Sequence, residues 1–216
     1  MLDIKRFEVN PFQENCYIVS DDSKECVIID CGAFYDSERE AIRSYITSNG
    51  LVPKHLLCTH AHIDHCIGNN TIYERFGLKP ELHGCDERLM NMLPQQSEAL
   101  MQYTLDFDLP PVGKYLTDSD TITFGNHTLS IIHTPGHTPG GIVYYCKEES
   151  TAFSGDTLFR MSIGRTDFYL GDYNAMQQSL NTLLTTLPDN TMVYCGHGPQ
   201  TTIGEEKAMN PYYERD

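Results

Sequence analysis

From Thr59 to His65 the sequence reads Thr-His-Ala-His-Ile-Asp-His, with three histidines and an aspartate inside six residues. The block stands where a predicted strand, residues 55–59, gives way to a helical segment. In extended backbone, residues two apart point to the same side, so His60 and His62 can converge on one metal ion. The chain must then turn, which redirects Asp64 and His65 toward a neighbouring point. Neutral imidazole and carboxylate are the usual ligands of zinc or iron. An isolated histidine is more often a packed or surface residue than a ligand, but a cluster this dense points to metal.

Three further segments end predicted strands in the same way. Thr134-Pro135-Gly136-His137-Thr138-Pro139-Gly140-Gly141 follows a strand, and its prolines and glycines fix a tight loop that can hold His137. Ser154-Gly155-Asp156-Thr157 places Asp156 at the end of a strand over residues 151–154. Cys195-Gly196-His197-Gly198 closes a strand over residues 191–195, with glycines that permit close backbone approach. Taken singly these are ordinary turn sequences. In this order, each at a strand end, they join the first block in one constellation: His60, His62, Asp64, His65, His137, Asp156 and His197.

The remaining pattern is mixed α and β. Predicted strands at residues 15–20 and 26–30 are joined by Asp21-Asp22-Ser23, a hairpin connection. A helix follows, capped by Asp36 or Ser37, with Ala41, Ile42, Tyr45 and Ile46 on one face and Gly50 at its end. A second helix is expected over residues 70–76. Later strands at 121–124 and 128–133 flank the hairpin pair Gly125-Asn126, and strands at 141–146 and 151–154 come next. Asp172 caps a helix over residues 173–187 whose apolar face carries Met176, Leu180, Leu183, Leu184 and Leu187. This order predicts two similar halves, sheets inside and helices outside. Residues 82–116, with Met90, Met92, Met101, Pro94 and Pro110-Pro111, have a different texture and are expected to form a helical insertion in a single domain spanning residues 1–216.

Charge narrows the partners. Thirty acidic against 15 basic side chains give a formal charge of -15, which argues against nucleic acid and against an anionic membrane surface. No apolar run nears the roughly 20 residues of a membrane-spanning helix. Met1-Leu2-Asp3-Ile4-Lys5-Arg6 lacks the pattern of a secretory signal, so a cytoplasmic location is expected. Eight dispersed cysteines without a close CxxC pair are expected to be reduced and mostly buried. Neither a Gly-x-Ser-x-Gly elbow nor a phosphate-binding loop occurs, so serine hydrolase and nucleotide kinase chemistry gain no support.

The Thr59–His65 block with His137, Asp156 and His197 resembles the metallo-β-lactamase superfamily over essentially the whole chain. The resemblance implies an α/β (α+β) fold, an αββα sandwich of two mixed sheets with outer helices and a metal site along one sheet edge. It implies that His60, His62 and His137 bind one metal, that Asp64, His65 and His197 bind a second, and that Asp156 bridges both. The implied ions are divalent, zinc first, with iron or manganese as alternatives. Two such ions about 3.5–4 Å apart can share a hydroxide and polarise a carbonyl. Their charge, about +4 against about -3 from two aspartates and a hydroxide, leaves a site able to attract an anion within an acidic protein.

A bridging carboxylate at Asp156 resembles the thioesterase and oxygenase branches rather than true β-lactamases. Asn10-Pro11-Phe12-Gln13-Glu14-Asn15-Cys16-Tyr17 and Gly155-Asp156-Thr157-Leu158-Phe159 resemble the glyoxalase II group, hydroxyacylglutathione hydrolases. Ser162-Ile163-Gly164-Arg165-Thr166-Asp167 is similar to its short bacterial members. The implied reaction is hydrolysis of a small-molecule acyl-thiol such as a hydroxyacyl-glutathione through the bridging hydroxide, with Asp64 orienting it as well as binding metal. Arg165 and Tyr144 lie near positions that hold glutathione in longer relatives. The competing readings are an ion pair of Arg165 with Asp167 or Asp172, and core packing of Tyr144. Longer relatives also have a C-terminal helical domain, whereas this chain stops at Asp216, which makes residues 82–116 the candidate to replace its thiol contacts. The same ligands resemble persulfide dioxygenases, which use one iron on His60, His137 and Asp156. A protein that binds metal and a partner without catalysis is a third reading. Cys66, Cys195, His55, His83, His127 and His133 are read as structural.

Overall fold

The computed structural model describes residues 1–214. A first sheet takes β1 (Asp3–Val9), β2 (Glu14–Ser20), β3 (Glu25–Ile29), β4 (Val52–Leu57), β5 (Pro80–His83) and β6 (Lys114–Leu116) in spatial as well as chain order. β1 to β3 pair antiparallel and β3 to β6 parallel. The parallel pairs need crossovers. These are α1 (Asp36–Ser48), then α2 (Ile63–Cys66) with α3 (Asn69–Phe76), then α4 (Glu87–Asn91), α5 (Leu93–Gln96) and a π-helical turn (Ser97–Met101).

The second sheet takes β7 (Thr121–Phe124), β8 (His127–His133), β9 (Ile142–Cys146) and β10 (Thr151–Gly155) as an antiparallel meander. A small hairpin of β11 (Leu158–Phe159) and β12 (Ser162–Ile163) and the helix α6 (Tyr173–Thr186) lead to β13 (Met192–Cys195), which pairs parallel with β10. β14 (Thr201–Thr202) and α7 (Ile203–Met209) follow, and the sheet order is β14-β13-β10-β9-β8-β7.

Period-two alternation sorts each strand between two cores. Along β2, Tyr17 and Val19 enter the layer between the sheets, while Cys16 and Ile18 enter the layer under α1 and α3, so the strand is buried throughout. β9 divides likewise: Tyr144 faces the other sheet, and Val143 and Tyr145 face the helical side. On α6, Met176, Leu180, Leu183 and Leu184 are buried, and the Asp172 carboxylate accepts the Ala175 amide at its N-terminus as expected. Full burial of a Leu side chain stabilises by about 1.5–3 kcal/mol, so this face alone anchors the helix. The layers are helix, sheet, sheet, helix, the αββα sandwich.

One boundary differs from expectation. Residues 82–116 begin in β5 and end in β6, both members of the first sheet, so the helical part is the crossover of a parallel pair. Strands of four and three residues, one starting at Pro80, are too short to show alternation. β1, β14 and α7 also went unread. All eight cysteines are unpaired, seven of them buried and Cys85 exposed. Among the described residues no helix is long and apolar enough to cross a membrane.

Candidate metal centre

Every loop of the constellation leaves the C-terminal end of a strand: β4, β8, β10 or β13. After β4, Asp30 fixes the path by accepting the Thr59 amide and the Thr59 hydroxyl, both at 2.7 Å. The chain bends at Thr59 and His60, His62 is extended (φ -92°, ψ 151°) and starts α2, and the first helical turn swings Asp64 and His65 alongside. The His60 and His62 rings lie 4.9 Å apart and perpendicular.

The ligand atoms of His60, His62 and His137 fall within 4.8 Å of one another, and so do those of Asp64, His65 and His197. Asp156 stands between the two groups. Its Oδ1 is 3.4 Å from His65 Nε2, and its Oδ2 is 3.5 Å from His137 Nε2 and 3.6 Å from His197 Nε2. Asp64 Oδ2 lies 3.3 Å from His197 Nε2 and 3.7 Å from His65 Nε2. The seven residues named from the sequence therefore meet at one place.

The far side of each ring settles its tautomer. His137 Nδ1 donates to the Arg165 carbonyl (2.6 Å), His197 Nδ1 to the Phe12 carbonyl (3.0 Å) and His65 Nδ1 to the Asp30 carboxylate (3.0 Å). Each Nε2 then carries a lone pair into the centre. Those of His65 and His197 face each other at 3.2 Å, an arrangement that calls for a cation between them. His60 Nε2 and Asp156 Oδ1 are buried without a hydrogen-bond partner, an expensive state that a metal ion relieves. The donors thus fit two divalent cations.

Electrostatics agree. Burial holds His60 well below the usual histidine range and His62 down to about 3, so both rings stay neutral, as metal ligands must be. Burial would raise Asp64 and Asp156, but His65 outweighs it and keeps both carboxylates below their ordinary range. Burial would likewise lower His65 and His197; the Asp64 and Asp156 carboxylates outweigh it and raise both, so without a metal these two rings hold protons that a cation at the centre would displace. Space is tight: a β-carbon on Gly196 would lie 2.3 Å from Asp156 Oδ1 and 2.9 Å from His65 Cε1.

Three bracing side chains escaped the sequence reading. Asp30, in left-handed backbone (φ 51°) just past β3, was read as a strand end. Asp86 is buried and accepts the Ala61 amide (2.9 Å), the Thr138 hydroxyl (2.8 Å) and the Gly140 amide (2.6 Å), which ties the His60–His62 loop to the His137 loop. Gln96 accepts the Ile63 amide (3.1 Å) and donates to the carbonyls of Ala61 (3.1 Å) and Leu89 (3.0 Å). No periodicity marks either position.

The two expected thiol contacts divide. Arg165 lines the metal cavity of about 400 Å³, yet its guanidinium is paired to both oxygens of Asp167 (2.7 and 2.8 Å) and lies 3.9 Å over the Phe168 ring. Tyr144 is corrected: it is fully buried between the sheets, where its hydroxyl donates to the Cys58 carbonyl at 3.0 Å, and it lines neither this cavity nor the chamber beside it. Its place in the alternation of β9 points it inward.

Asp30, His60 and His65 form an overlapping group, and a separate cluster, His83, Cys85 and His133, also brings ligand atoms within 4.8 Å. Its imidazoles stack at 4.1 Å and 20°, so their in-plane lone pairs run side by side instead of meeting. His133 Nε2 also donates to the Pro139 carbonyl, and His83 Nδ1 accepts the Cys85 amide. That arrangement is packing.

The metallo-beta-lactamase superfamily profile matches residues 9–197. The chain belongs to the metallo-beta-lactamase superfamily. Hydroxyacylglutathione hydrolase GloC of Haemophilus influenzae is 36% identical over 220 residues, which cover 98% of each chain. The mitochondrial persulfide dioxygenase ETHE1 of Bos taurus is 29% identical over 90% of this chain and 69% of its own. Among solved structures, the BLEG-1 B3 metallo-beta-lactamase superposes with a TM-score of 0.89 at 36% identity, covering 99% of this chain and all of that one. TTHA1623 in a di-iron-bound form superposes with a TM-score of 0.84 at 35% identity, covering 96% and 99%.

Proposed function

We propose that this superfamily member is a dinuclear metal-dependent thioesterase of the glyoxalase II kind, acting in a cytoplasmic setting on a small acyl-thiol such as a hydroxyacyl-glutathione. The observation that carries the reading is the position of Asp156 between two groups of three ligands, and the likeness to GloC supports it. His60, His62 and His137 would hold one ion, Asp64, His65 and His197 the other, and Asp156 both. Bound there, two divalent ions, zinc first among them, supply Lewis acidity toward the carbonyl and a water-derived nucleophile at neutral pH. The chain's own residues set the rest. Asp64, kept ionised beside His65 and His197, orients the attacking water, and the cavity edged by Phe12, Phe159 and Phe168 shields the ester from bulk solvent. A reducing compartment suits eight unpaired cysteines.

A second reading has its own support. His60 Nε2 and Asp156 Oδ1 are unpartnered atoms of the seven-residue centre, and with His137 they make a two-histidine, one-carboxylate set suited to a single iron and to dioxygen chemistry on a persulfide. The likeness to ETHE1 points the same way. Elemental analysis of the purified protein, hydrolysis of lactoyl-glutathione and oxygen consumption on glutathione persulfide, run in parallel with a β-lactam probe, separate these readings. The thioesterase reading expects two metals per chain and thioester cleavage, both lost in Asp156→Ala. Oxygen uptake with one iron, or full turnover by metal-free Asp156→Ala, contradicts it.

A further inference from the structure

The metal cavity has a side chamber of about 250 Å³ walled by Leu89, Met92, Ala99, Leu100, Phe168 and Tyr169. His62, Leu100 and Phe168 line both spaces, so the chamber borders the metal cavity at a metal-ligand ring. No charged side chain lines it; the amide of Gln96 on its wall is already spent on Ala61, Ile63 and Leu89, which leaves the Gln95 amide and the Tyr169 hydroxyl as the polar groups at its edge. Ala99 and Leu100 lie on the π-helical turn, which ends at Gln102 in left-handed backbone (φ 52°). Single π turns re-aim side chains and recur at functional sites. Leu100 and Tyr169 remain 40% and 49% exposed, which gives the chamber an apolar mouth.

We infer that this chamber takes the acyl limb of the substrate, and that the acyl group is a hydrocarbon chain rather than a 2-hydroxyacyl group. The inference rests on the thioesterase reading and replaces its hydroxyacyl example with an aliphatic acyl group. A thiol carrier with carboxylates, as glutathione has, would lose hydration on entering a wall that offers no charge, and a hydroxyl on the acyl group would find few partners. A space of this size corresponds to about eight water volumes of ~30 Å³ each, room for a chain of about four to eight carbons. The carrier then lies along the other flank of the metal cavity, where Ser162 and the edge of the Arg165 guanidinium offer polar contacts.

The test is a series of acetyl, butanoyl, hexanoyl and lactoyl thioesters of one carrier, assayed on the metal-loaded enzyme. Each buried methylene is worth about 0.8 kcal/mol, so kcat/KM should rise about fourfold per methylene up to hexanoyl, and lactoyl should fall below butanoyl. Ala99→Trp, which fills the chamber, should lower the hexanoyl value at least about tenfold more than the acetyl value. A flat series, or lactoyl above hexanoyl, overturns the inference and leaves the thioesterase reading standing. A second readout needs no turnover: calorimetric binding of hexanoate against acetate. Tighter hexanoate binding with a negative heat-capacity change, lost in Ala99→Trp, is expected, and equal binding of the two acids overturns the chamber assignment. Hexanoate binding in a protein that cleaves no thioester would support the apolar occupant and refute the thioesterase reading.

Discussion

The first half of the chain supplies four candidate ligands from one loop, His60 to His65, whereas the second half supplies three, each from a different strand end. The two halves also steady their ligands differently. Around the first loop the braces are side chains: Asp30 on Thr59 and His65, Asp86 on Ala61, and Gln96 on both sides of His62. Around the second-half residues side chains also hold the loops, Asp86 on Thr138 and Gly140 and Asn15 on the Cys195 and Gly198 carbonyls. The imidazoles themselves, however, donate to backbone, His137 to the Arg165 carbonyl and His197 to the Phe12 carbonyl, and glycines sit where no β-carbon fits. A loop that carries four ligands on consecutive turns needs outside groups to hold its shape. A ligand at the end of a sheet strand inherits its position from the sheet. Sensitivity to mutation should therefore follow side-chain identity in one half and backbone space in the other.

The largest effect belongs to space. In Gly196→Ala the new methyl meets both Asp156 and His65, and displacing reacting groups by an ångström costs on the order of a hundredfold in rate. Metal content by elemental analysis should drop with it; an alanine variant with full metal and rate would break the distinction. Next comes Asp86→Asn. All three partners of this carboxylate are donors, so an amide nitrogen facing one of them leaves a buried N–H unmatched. Metal affinity, measured by competition with a chelator, should weaken about 10- to 100-fold although Asp86 touches no ligand side chain. Unchanged affinity would remove the side-chain bracing of the first half.

Arg165→Ala should do much less to the metal, because the carbonyl that accepts from His137 remains. Metal affinity should stay within about twofold and stability within about 0.5 kcal/mol, since its pair with Asp167 is exposed. A large loss of metal would mean that the His137 ring depends on the Arg165 side chain as well as on its carbonyl. The smallest effect is remote. Asp21 ties the β2–β3 turn to the β7–β8 turn by accepting from Ser23, the Asn126 amide and His127. Burial pushes this carboxyl up, but the Ser23 and Asn126 hydrogen bonds outweigh it and hold it below the usual range. With a folded value below the unfolded one of about 3.9, its stabilisation is complete above that pH and is lost as the pH falls through the folded value. Denaturant midpoints of Asp21→Asn should therefore lie below wild type at pH 6, and the gap should narrow as the pH falls from 4 toward 2, with metal content at pH 6 unchanged.

The same contrast explains what could be read from the sequence. The dense loop was visible because its spacing is local, and the single ligands at His137, Asp156 and His197 became visible through strand ends punctuated by glycine and proline. The helix capped by Asp172 and the Gly125-Asn126 hairpin formed where local rules put them. Asp86 and Gln96 were not legible, because their roles arise when a crossover without periodicity folds back on a loop more than 20 residues away. Tyr144 takes the packing alternative for a related reason. A resemblance aligns positions along a strand, but the strand's alternation decides which side a ring enters, and here that side is the core.

Metal stoichiometry tests the central claim most directly. Protein loaded with zinc, iron or manganese and freed of excess ion should retain two equivalents per chain, and His62→Ala or His65→Ala should each retain fewer. Retention of less than one equivalent of all three metals by the wild-type protein would contradict a centre built from these seven side chains.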